Sequence, residues 1–327
     1  MFAATPFISI CIPAYKNVGY LKRLLDSIDL QNFRDFEVVM SDDSPDDAVR
    51  NLTATYENSF SITYIKHSPS LGTPENWNAA MKAAKGQWIK IMHDDDWFTD
   101  GDALKKFHQA IVAHPNIDFF FSAFRNVELE GGQSYEVRCS WWDLFILKRS
   151  PLHLFKKVYI GNPSCTMIRN KHIPLYDNRM KFVVDFEYYI RCIQSGMQWR
   201  YLDEVLLNIG FHSEQVTKYT FQVAAVQIPE NHLLIRTMGA GILKNVIVFD
   251  YYWRMYRNLG LRTKEAVLAL DPSPLHPIVS AMLYWQGKIP RGLLKIGMVS
   301  KLFMGTLYVL CLLHRNSFKD FPTSTSL

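Results

Sequence analysis

The sequence predicts an α/β fold in which a mostly parallel sheet is flanked by helices and followed by a helical extension. Two observations carry this prediction. Within the first 100 residues, four apolar strand-like runs alternate with segments whose apolar residues recur at helical spacing. Beyond about residue 217, only the helical spacing remains. Strands that alternate with helices are typical of a parallel sheet covered on its faces by those helices.

Each element of the first 100 residues has its own signal. The first apolar run ends in a turn at residues 13–17, after which three leucines and an isoleucine at helical spacing predict a helix. The second run leads into an acidic, turn-rich loop at residues 41–47. The helix before the fourth run carries Trp77 and Ala80 on one face, and Gly86 is expected to cap it. The four predicted strands are residues 7–12, 36–40, 62–65 and 88–92.

The rest of the chain is less regular. The predicted elements are, in order, a helix at 101–114, a phenylalanine-rich strand at 117–124, a turn at 128–140, a strand ending near 168, a helix at 183–193, two short strands at 199–202 and 205–209, and helices at 221–238, at 243–258 and from 278 onward. We therefore divide the chain into a sheet domain at 1–217, a helical extension at 218–290 and a basic amphipathic tail at 291–327, whose end from residue 316 we expect to be disordered.

The composition excludes several classes of protein. A formal charge of +5 is too mild to indicate a nucleic-acid partner. Five scattered cysteines without CxxC spacing argue against a disulfide framework and a zinc site, and suit a reducing compartment. No stretch of about 20 residues is cleanly apolar, and no signal peptide is recognisable, so we expect a cytoplasmic protein without a transmembrane helix.

Three consecutive carboxylates, Asp94, Asp95 and Asp96, follow the fourth predicted strand. Like charges side by side repel each other, and ionisation next to an apolar strand is costly unless a cation joins them. Mg²⁺ and Mn²⁺ prefer such oxygen ligands and often share them with substrate phosphates. Because ligands bind beyond the carboxyl ends of strands in open α/β sheets, this run should meet Asp42 and Asp43 at one rim. The alternative is a solvated acidic turn.

Three ordered motifs carry a resemblance to a known family. They are Ile8-Ser-Ile-Cys-Ile-Pro-Ala-Tyr-Lys-Asn17, Val38-Val-Met-Ser-Asp-Asp-Ser44 and the run from Gly86 to Trp97. Together they resemble the opening of the family 2 glycosyltransferases, which have the GT-A fold, and the similarity covers about residues 5–215. The resemblance implies an inverting enzyme that uses Mn²⁺ or Mg²⁺ and moves a sugar from a UDP-, GDP- or dTDP-sugar to an acceptor.

The resemblance also implies roles for residues of the donor site. Asp42 and Asp43 would bind the base and ribose of the nucleotide, since a carboxylate accepts hydrogen bonds from N–H and hydroxyl groups. The alternative is that this loop caps the next helix, with Ser44 or Asp46 as the capping residue. Pro13 and Tyr15 of the first motif are assigned to the donor as well.

The family's Asp-x-Asp-Asp motif falls on residues 93–96, so His93 stands at the position of its first aspartate. Asp95 would ligate the metal, with Asp96 as a second ligand and Asp94 near the donor. His93 either contributes to metal or phosphate binding or is structural. His212 opens a polar loop at 212–217 that resembles one closing over the pyrophosphate, and is assigned to a phosphate contact.

An inverting transfer needs a base for the acceptor hydroxyl. The resemblance assigns this role to Asp185, although the glutamate that precedes it in the family is Val184 here. Glu187 is the fallback, and capping of the helix is the structural alternative. Asn76 and Asn78 either approach the donor or pack their helix, and residues 161–164 lie where acceptor contacts are common in the family.

The tail combines basic and apolar residues. From residue 288 to 319 there are six lysines and arginines and no acid, interleaved with leucine, methionine, valine and phenylalanine. Such a helix suits an anionic membrane interface. We therefore predict a peripheral protein on the cytoplasmic face of the inner membrane, whose acceptor is a glycan or polyprenol-linked glycan in O-antigen or capsule synthesis. The alternatives are a helix docked on the sheet domain or used in oligomerisation.

Two other functions stay open at this point. A nucleotidyl or phosphosugar transferase would use a similar sheet, but residues 13–19 lack the Gly-rich phosphate loop that it would need. A catalytically inactive homologue that binds nucleotide sugars is compatible with the departures at His93 and Val184.

Overall fold

The computed structural model describes residues 5–212 and 222–314. These form two compact units. The sheet unit comprises residues 5–151, 158–180 and 184–212, and the helical unit comprises residues 152–157, 181–183 and 222–314. The predicted loop at 213–217, the start of the predicted helix at 221 and the end of the tail lie outside the described residues.

The sheet unit has a mixed sheet whose first half is parallel. Strand β1 pairs in parallel with β2 and β4, and β2 pairs in parallel with β3. Strand β8 lies antiparallel between β4 and β6, while β6 and β9 are parallel. The described sheet runs β3-β2-β1-β4-β8-β6-β9-β5, with β7 attached to β6. The strands are β1 (Ile8–Ala14), β2 (Phe36–Asp42), β3 (Ile62–Lys66), β4 (Trp88–Ile91), β5 (Trp97–Phe98), β6 (Phe119–Glu128), β7 (Ser134–Val137), β8 (Thr166–Arg169) and β9 (Trp199–Phe211).

The helices of this unit pack their apolar faces on the sheet. In α1 the buried side chains include the predicted Leu21, Leu24, Leu25 and Ile28, which join the core formed by β1, β2 and β6. The helices are α1 (Val18–Asp29), α2 (Ala48–Ala54), α3 (Glu75–Ala83), α4 (Ala103–Ala113), α5 (Trp141–Arg149) and α6 (Val184–Gln194).

The parallel register brings three strand ends to one rim. Ala14 at the end of β1 is in register with Asp42 at the end of β2, and Cys11 is in register with Ile91 at the end of β4. Residue Met92 continues this line, because its amide donates to the carbonyl of Cys11. The loops after these strands therefore emerge side by side, as the sequence predicts.

Three local features differ from the sequence predictions. Gly86 does not cap α3, which ends at Ala83 with Ala84 as its C-cap. A Cβ at Gly86 would lie 2.5 Å from the amide nitrogen of Ser9, so close packing requires the glycine. The region predicted as a turn at 128–140 contains β7. The two short strands predicted at 199–202 and 205–209 form one strand, β9. Asp203 and Glu204, which interrupt its apolar pattern, are exposed to solvent and form ion pairs with Arg138 and Lys106, respectively.

The helical unit has its own core, built around aromatic residues of α8. Trp253 donates from Nε1 to Ser300 Oγ (3.0 Å) and Gln286 donates to the carbonyl of Trp253 (2.8 Å). None of the helices within the described residues has the length and apolar character needed to cross a membrane. The helices are α7 (Ala224–Met238), α8 (Val246–Asn258), α9 (Lys264–Leu268), α10 (Pro277–Lys288), α11 (Arg291–Lys295) and α12 (Gly297–Leu313).

Candidate active site

The loop that follows β4, residues 93–96, is bound by segments next to two neighbouring strands, β1 and β8. The amide of His93 donates to Ser164 Oγ (3.0 Å), which precedes β8. The amide of Tyr15, just after β1, donates to Asp94 Oδ2 (3.2 Å). Burial and the adjacent charge of Asp95 raise the pKa of Asp94 to about 8. Asp94 thus faces the loop after β1, which was assigned to the donor.

Asp96 is buried, and its carboxylate is surrounded by polar partners that include Asn162, Ser164, Gly210 and His93. Its carboxylate accepts hydrogen bonds from Asn162 Nδ2 (2.8 Å) and from the amide of Gly210 in β9 (3.0 Å), and His93 Nδ1 lies 3.9 Å away. A Cβ at Gly210 would lie 2.2 Å from the carbonyl oxygen of Asp95, so only glycine lets β9 approach the loop this closely. Burial and the charge of Asp95 raise the pKa of Asp96 well above its usual range in spite of these hydrogen bonds.

Asp95 lies between two basic side chains. Its carboxylate is 3.2 Å from His212 Nε2, and its carbonyl accepts a hydrogen bond from the Arg23 guanidinium (3.2 Å). That guanidinium stacks on the ring of Trp97 at 3.8 Å. The structure therefore brings His212, predicted as a phosphate contact, to the same rim as the aspartates. Arg23 was not predicted, since a single arginine on a helix carries no signal of its own.

Three side chains of this rim can share a cation. Ligand atoms of His93, Asp95 and Asp96 lie within 4.8 Å of one another. In an octahedral Mg²⁺ or Mn²⁺ site, ligands at about 2.1 Å from the ion are about 3 Å apart when adjacent and about 4.2 Å apart when opposite. The three ligands, two carboxylates and one imidazole, therefore fit a divalent cation after a small movement of the side chains. A cation would also offset the desolvation of Asp96.

A lysine is buried beneath this loop. Lys90 in β4 is fully buried and donates from Nζ to the carbonyls of Ser164 and Thr166. Burial lowers its pKa to about 7, while the nearby Asp96 acts in the opposite direction. Lys90 thus ties β4 to the segment that binds His93 and Asp96. A lysine inside an otherwise apolar strand was the signal in the sequence that could have indicated this role.

The acidic residues after β2 are already engaged in hydrogen bonds. Asp42 accepts from the amide of Ser44 (2.8 Å), from Lys66 Nζ (2.9 Å) and from the hydroxyl of Tyr64. Burial acts to raise the pKa of Asp42, but these hydrogen bonds outweigh it and hold the pKa below its usual value. Asp43 accepts from the amides of Leu71 (3.0 Å) and Gly72 (2.7 Å).

Asp42 and Asp43 therefore shape the loops of the predicted nucleotide site. Neither caps α2; the N-cap residue Asp47 forms no side-chain cap, and Asp46 accepts a hydrogen bond from the amide of Ala48, the first residue of the helix (3.1 Å). At the adjacent end of β1, Pro13 is buried within the strand, whereas half of the Tyr15 side chain is exposed at the rim. Tyr15 is thus available to a ligand, and Pro13 acts through the backbone it fixes.

The first turn of α6 contains the predicted base. Asp185 Oδ1 is buried and has no hydrogen-bond partner among the described residues. Burial raises the pKa of Asp185 to about 7. Glu187, the fallback, is bound by Arg191 at 2.8 and 3.0 Å. The hydroxyl of Tyr189 donates to the carbonyl of Gly161 (3.2 Å), next to the residue that binds Asp96, and this links α6 to the cation loop.

Most of the remaining predicted contacts bind other parts of the protein, but Asn76 Oδ1 is buried with no hydrogen-bond partner among the described residues. Asn78 forms a reciprocal pair with the backbone of Tyr176 at 2.9 Å in each direction, which is a packing role. Asn76 donates weakly to the carbonyl of Ala14 (3.4 Å). Asn162 and Ser164, expected among acceptor contacts, bind the loop 93–96 instead.

Comparisons with known proteins agree with this geometry. Residues 9–174 match the profile described as Glycosyl transferase family 2. An uncharacterised glycosyltransferase of Haemophilus influenzae is 29% identical over 128 residues, which are 39% of this chain and 42% of that protein. This chain thus aligns with less than half of that relative's length.

Two solved structures share the fold. Staphylococcus aureus TarS 1-349 in complex with UDP-GlcNAc has a TM-score of 0.62 at 17% identity, covering 95% of this chain and 88% of that one. The Pyrobaculum calidifontis mannosyltransferase PcManGT in complex with GDP-Man and Mn²⁺ has a TM-score of 0.54 at 14% identity, covering 96% and 88%.

Proposed function

This chain belongs to glycosyl transferase family 2, and from that premise we propose that it is a metal-dependent, inverting glycosyltransferase. Its donor is a nucleotide-diphosphate sugar and its acceptor is a glycan or a lipid-linked glycan. The observation that carries the proposal is the position of three potential cation ligands, His93, Asp95 and Asp96, beyond the ends of three parallel strands. They lie beside the loop that contains Asp42 and Asp43.

The cation would be held by His93, Asp95 and Asp96. When bound, it supplies positive charge that stabilises the nucleotide diphosphate as it leaves. The chain contributes the positioning. Gly210, Asn162 and the amide of Tyr15 hold the carboxylates in place before the donor arrives, so that little reorganisation is needed on binding.

The nucleotide would lie over the loops that follow β1 and β2. The exposed ring of Tyr15 offers an apolar surface to a nucleobase. Asp42 and Asp43 are buried and hold the adjacent loops, and each oxygen of Asp43 accepts one protein hydrogen bond, which leaves a lone pair for the base or ribose. The complexes of TarS with UDP-GlcNAc and of PcManGT with GDP-Man and Mn²⁺ support a nucleotide sugar and a cation as ligands. The two complexes hold different nucleotides and so do not select between UDP, GDP and dTDP for this chain.

Asp185 is our proposed general base. A base works best when its pKa lies near the operating pH, and burial raises the pKa of Asp185 to about 7. The unpartnered Oδ1 is free to accept the proton of an acceptor hydroxyl. Glu187 is less suited to this role because both of its oxygens are bound by Arg191.

The proposal is tested by incubating the protein with a panel of UDP-, GDP- and dTDP-sugars in Mn²⁺ and measuring release of the nucleoside diphosphate. We expect one or a few donors to be hydrolysed slowly, with water replacing the acceptor. The variant Asp95→Ala is the negative control. Release of inorganic pyrophosphate or of a nucleoside monophosphate instead would indicate a different reaction class and contradict the proposal.

We further propose that α12 binds a membrane surface. Its buried face is formed by Ser300, Met304, Leu307 and Cys311. The opposite face exposes apolar side chains, which are Met298, Leu302, Val309, Leu312 and Leu313. Three exposed basic residues precede the helix and a fourth lies in its second turn, with no acid between them: Lys288, Arg291, Lys295 and Lys301.

This combination of an apolar face and a basic rim matches an anionic lipid interface. It supports a peripheral position on the cytoplasmic face of the inner membrane, with a polyprenol-linked glycan as the acceptor in surface polysaccharide synthesis. Arg315 and Lys319 of the predicted basic tail lie outside the described residues.

The membrane proposal is tested by flotation with vesicles of phosphatidylcholine and phosphatidylglycerol in a 3:1 ratio. We expect the wild type to float at low salt and the double variant Leu302→Glu, Val309→Glu to remain at the bottom. The matched control is Leu30→Glu with Val112→Glu, which replaces two exposed apolar residues of the sheet unit. Equal flotation of the two double variants would overturn the proposal.

A further inference from the structure

We propose that His93 is a nitrogen ligand of the cation and that it shifts the cation preference of this site from Mg²⁺ towards Mn²⁺ and Co²⁺. The inference rests on the proposed function, because it concerns the same cation site. It goes further in assigning a role to the one residue at which this chain departs from the Asp-x-Asp pattern in its cation loop.

The geometry places the imidazole among the carboxylates. A ring nitrogen of His93 lies within 4.8 Å of carboxylate oxygens of both Asp95 and Asp96. Nδ1 is 3.9 Å from Asp96 Oδ2, and Nε2 is buried with no hydrogen-bond partner among residues 5–212 and 222–314. Nδ1, the nitrogen that faces Asp96, is too far from that carboxylate for a direct hydrogen bond, and a cation between the two groups would bind both of them.

The ring is also held in this position. It packs against the indole of Trp77 with ring centroids 4.8 Å apart, and the backbone amide of His93 is bound by Ser164 Oγ. A histidine fixed from two sides loses little rotamer freedom when it coordinates an ion. A histidine whose role was only to fill space would not need a nitrogen directed at two carboxylates.

The consequence for cation choice follows from ligand chemistry. A carboxylate at position 93 would add a third negative oxygen, which suits the hard Mg²⁺ ion. With an imidazole at this position, the three cation ligands carry one negative charge fewer. The imidazole also supplies a nitrogen ligand, which is softer than a carboxylate oxygen. Affinity for such a set rises from Mn²⁺ to Co²⁺, and Mg²⁺ gains least from nitrogen.

The direct test is pulsed electron paramagnetic resonance of Mn²⁺ bound to the full chain, alone and with each of UDP, GDP and dTDP. We expect modulation from a directly coordinated ¹⁴N nucleus, and its replacement by the ¹⁵N pattern when the protein is labelled with [¹⁵N]histidine. The His212→Asn variant should keep the signal, since His212 is the other histidine beside Asp95. A wild-type spectrum without histidine nitrogen coupling would overturn the proposal, as would loss of the coupling in His212→Asn with retention in His93→Asp.

The second test compares dissociation constants for Mn²⁺ and Mg²⁺ by competition, using the signal of free Mn²⁺. His93→Asp should lower the preference for Mn²⁺ over Mg²⁺ by about tenfold or more. His172→Asp, the same change at an exposed position of the sheet unit, should leave the preference unchanged. An unchanged preference in His93→Asp refutes the role of His93 while leaving the glycosyltransferase proposal standing. A wild type that binds UDP with no dependence on any divalent cation refutes the metal-dependent function itself.

Discussion

Replacing Asp185 by asparagine should remove transfer and at the same time stabilise the fold. The substitution keeps the shape of the side chain, replaces one oxygen by an NH₂ group and removes the ability to ionise. A general base typically contributes about 10²- to 10⁴-fold to the rate, so kcat for transfer should fall by about that factor while donor binding stays within about twofold. In the wild type, kcat/KM should rise with pH through the pKa of Asp185, near 7.

The expected stabilisation can be worked out from the pKa. Burial raises the pKa of Asp185 from 3.8 to about 7. Because the folded value lies above the unfolded one, the carboxyl destabilises the fold once it ionises. This effect grows as the pH rises from about 4 to about 7 and is constant above that. At about 1.4 kcal/mol per pKa unit the full effect is about 4 kcal/mol, and partial exposure of the side chain reduces it to about 2–4 kcal/mol.

The assay is urea unfolding followed by tryptophan fluorescence at pH 5 and pH 8. Asp185→Asn should unfold with a higher free energy than wild type, and this gain should be about 2 kcal/mol larger at pH 8 than at pH 5. The reason is that between pH 5 and about pH 7 the unfolded wild type has lost the carboxyl proton, whereas the folded wild type still holds it. The control is Asp47→Asn, which changes an exposed carboxyl of the same unit and should show no such dependence.

Two results would refute this reasoning. A variant that is less stable than wild type at pH 8 would mean that the carboxyl is stabilised by a partner and is not strained by burial. A variant that retains near-normal transfer would mean that another group accepts the proton.

Three further predictions concern residues around this base and the cation. Asp95→Ala should abolish Mn²⁺-dependent UDP binding in isothermal titration calorimetry. Gly210→Ala should weaken the same binding by about tenfold or more, because the added Cβ would lie 2.2 Å from the carbonyl of Asp95, whereas Gly241→Ala, which has open space, should not. Glu187→Gln should keep turnover within about threefold in steady-state assays but lower the unfolding free energy by about 1–3 kcal/mol, since it breaks the half-buried pair with Arg191.

Much of the fold could be predicted because its signals are local. The alternation of apolar runs and helical spacing in the first 100 residues predicts β1 to β4 and the helices between them, and parallel pairing then places the acidic loops at one rim. Strand β5 is missing from the prediction because two residues carry no period, and β7 because its side chains are mostly exposed and show no apolar pattern. Strand β9 was divided in two because its solvent-facing acidic pair resembles a turn when pairing with β6 is unknown.

The candidate site, like the fold, could be predicted from the sequence only in part. The aspartates after β2 and β4 are visible as runs of charge, and the resemblance assigns them a ligand. The groups that position them come from distant parts of the chain: Gly210 is 114 residues from Asp96, and Asn162 is 66 residues from it. Such pairs leave no periodic signal. Buried Lys90 is the exception, since a charge within an apolar strand predicts a buried partner.

The choice between Asp185 and Glu187 shows what geometry adds. Both lie in the first turn of α6, and spacing alone leaves either as the base. The structure separates them by their partners, because Arg191 binds Glu187 from one turn further along the helix, whereas Asp185 Oδ1 is buried with no partner among the described residues.

The central claim is that the rim of the sheet binds a divalent cation together with a nucleoside diphosphate. Isothermal titration calorimetry of the full chain with UDP, GDP and dTDP, each with Mn²⁺ and then with EDTA, tests it most directly. We predict that at least one of the three binds with Mn²⁺ and that this binding is lost or weakened by about tenfold or more with EDTA. Equal binding in both buffers, or no binding of any of the three, would contradict the account.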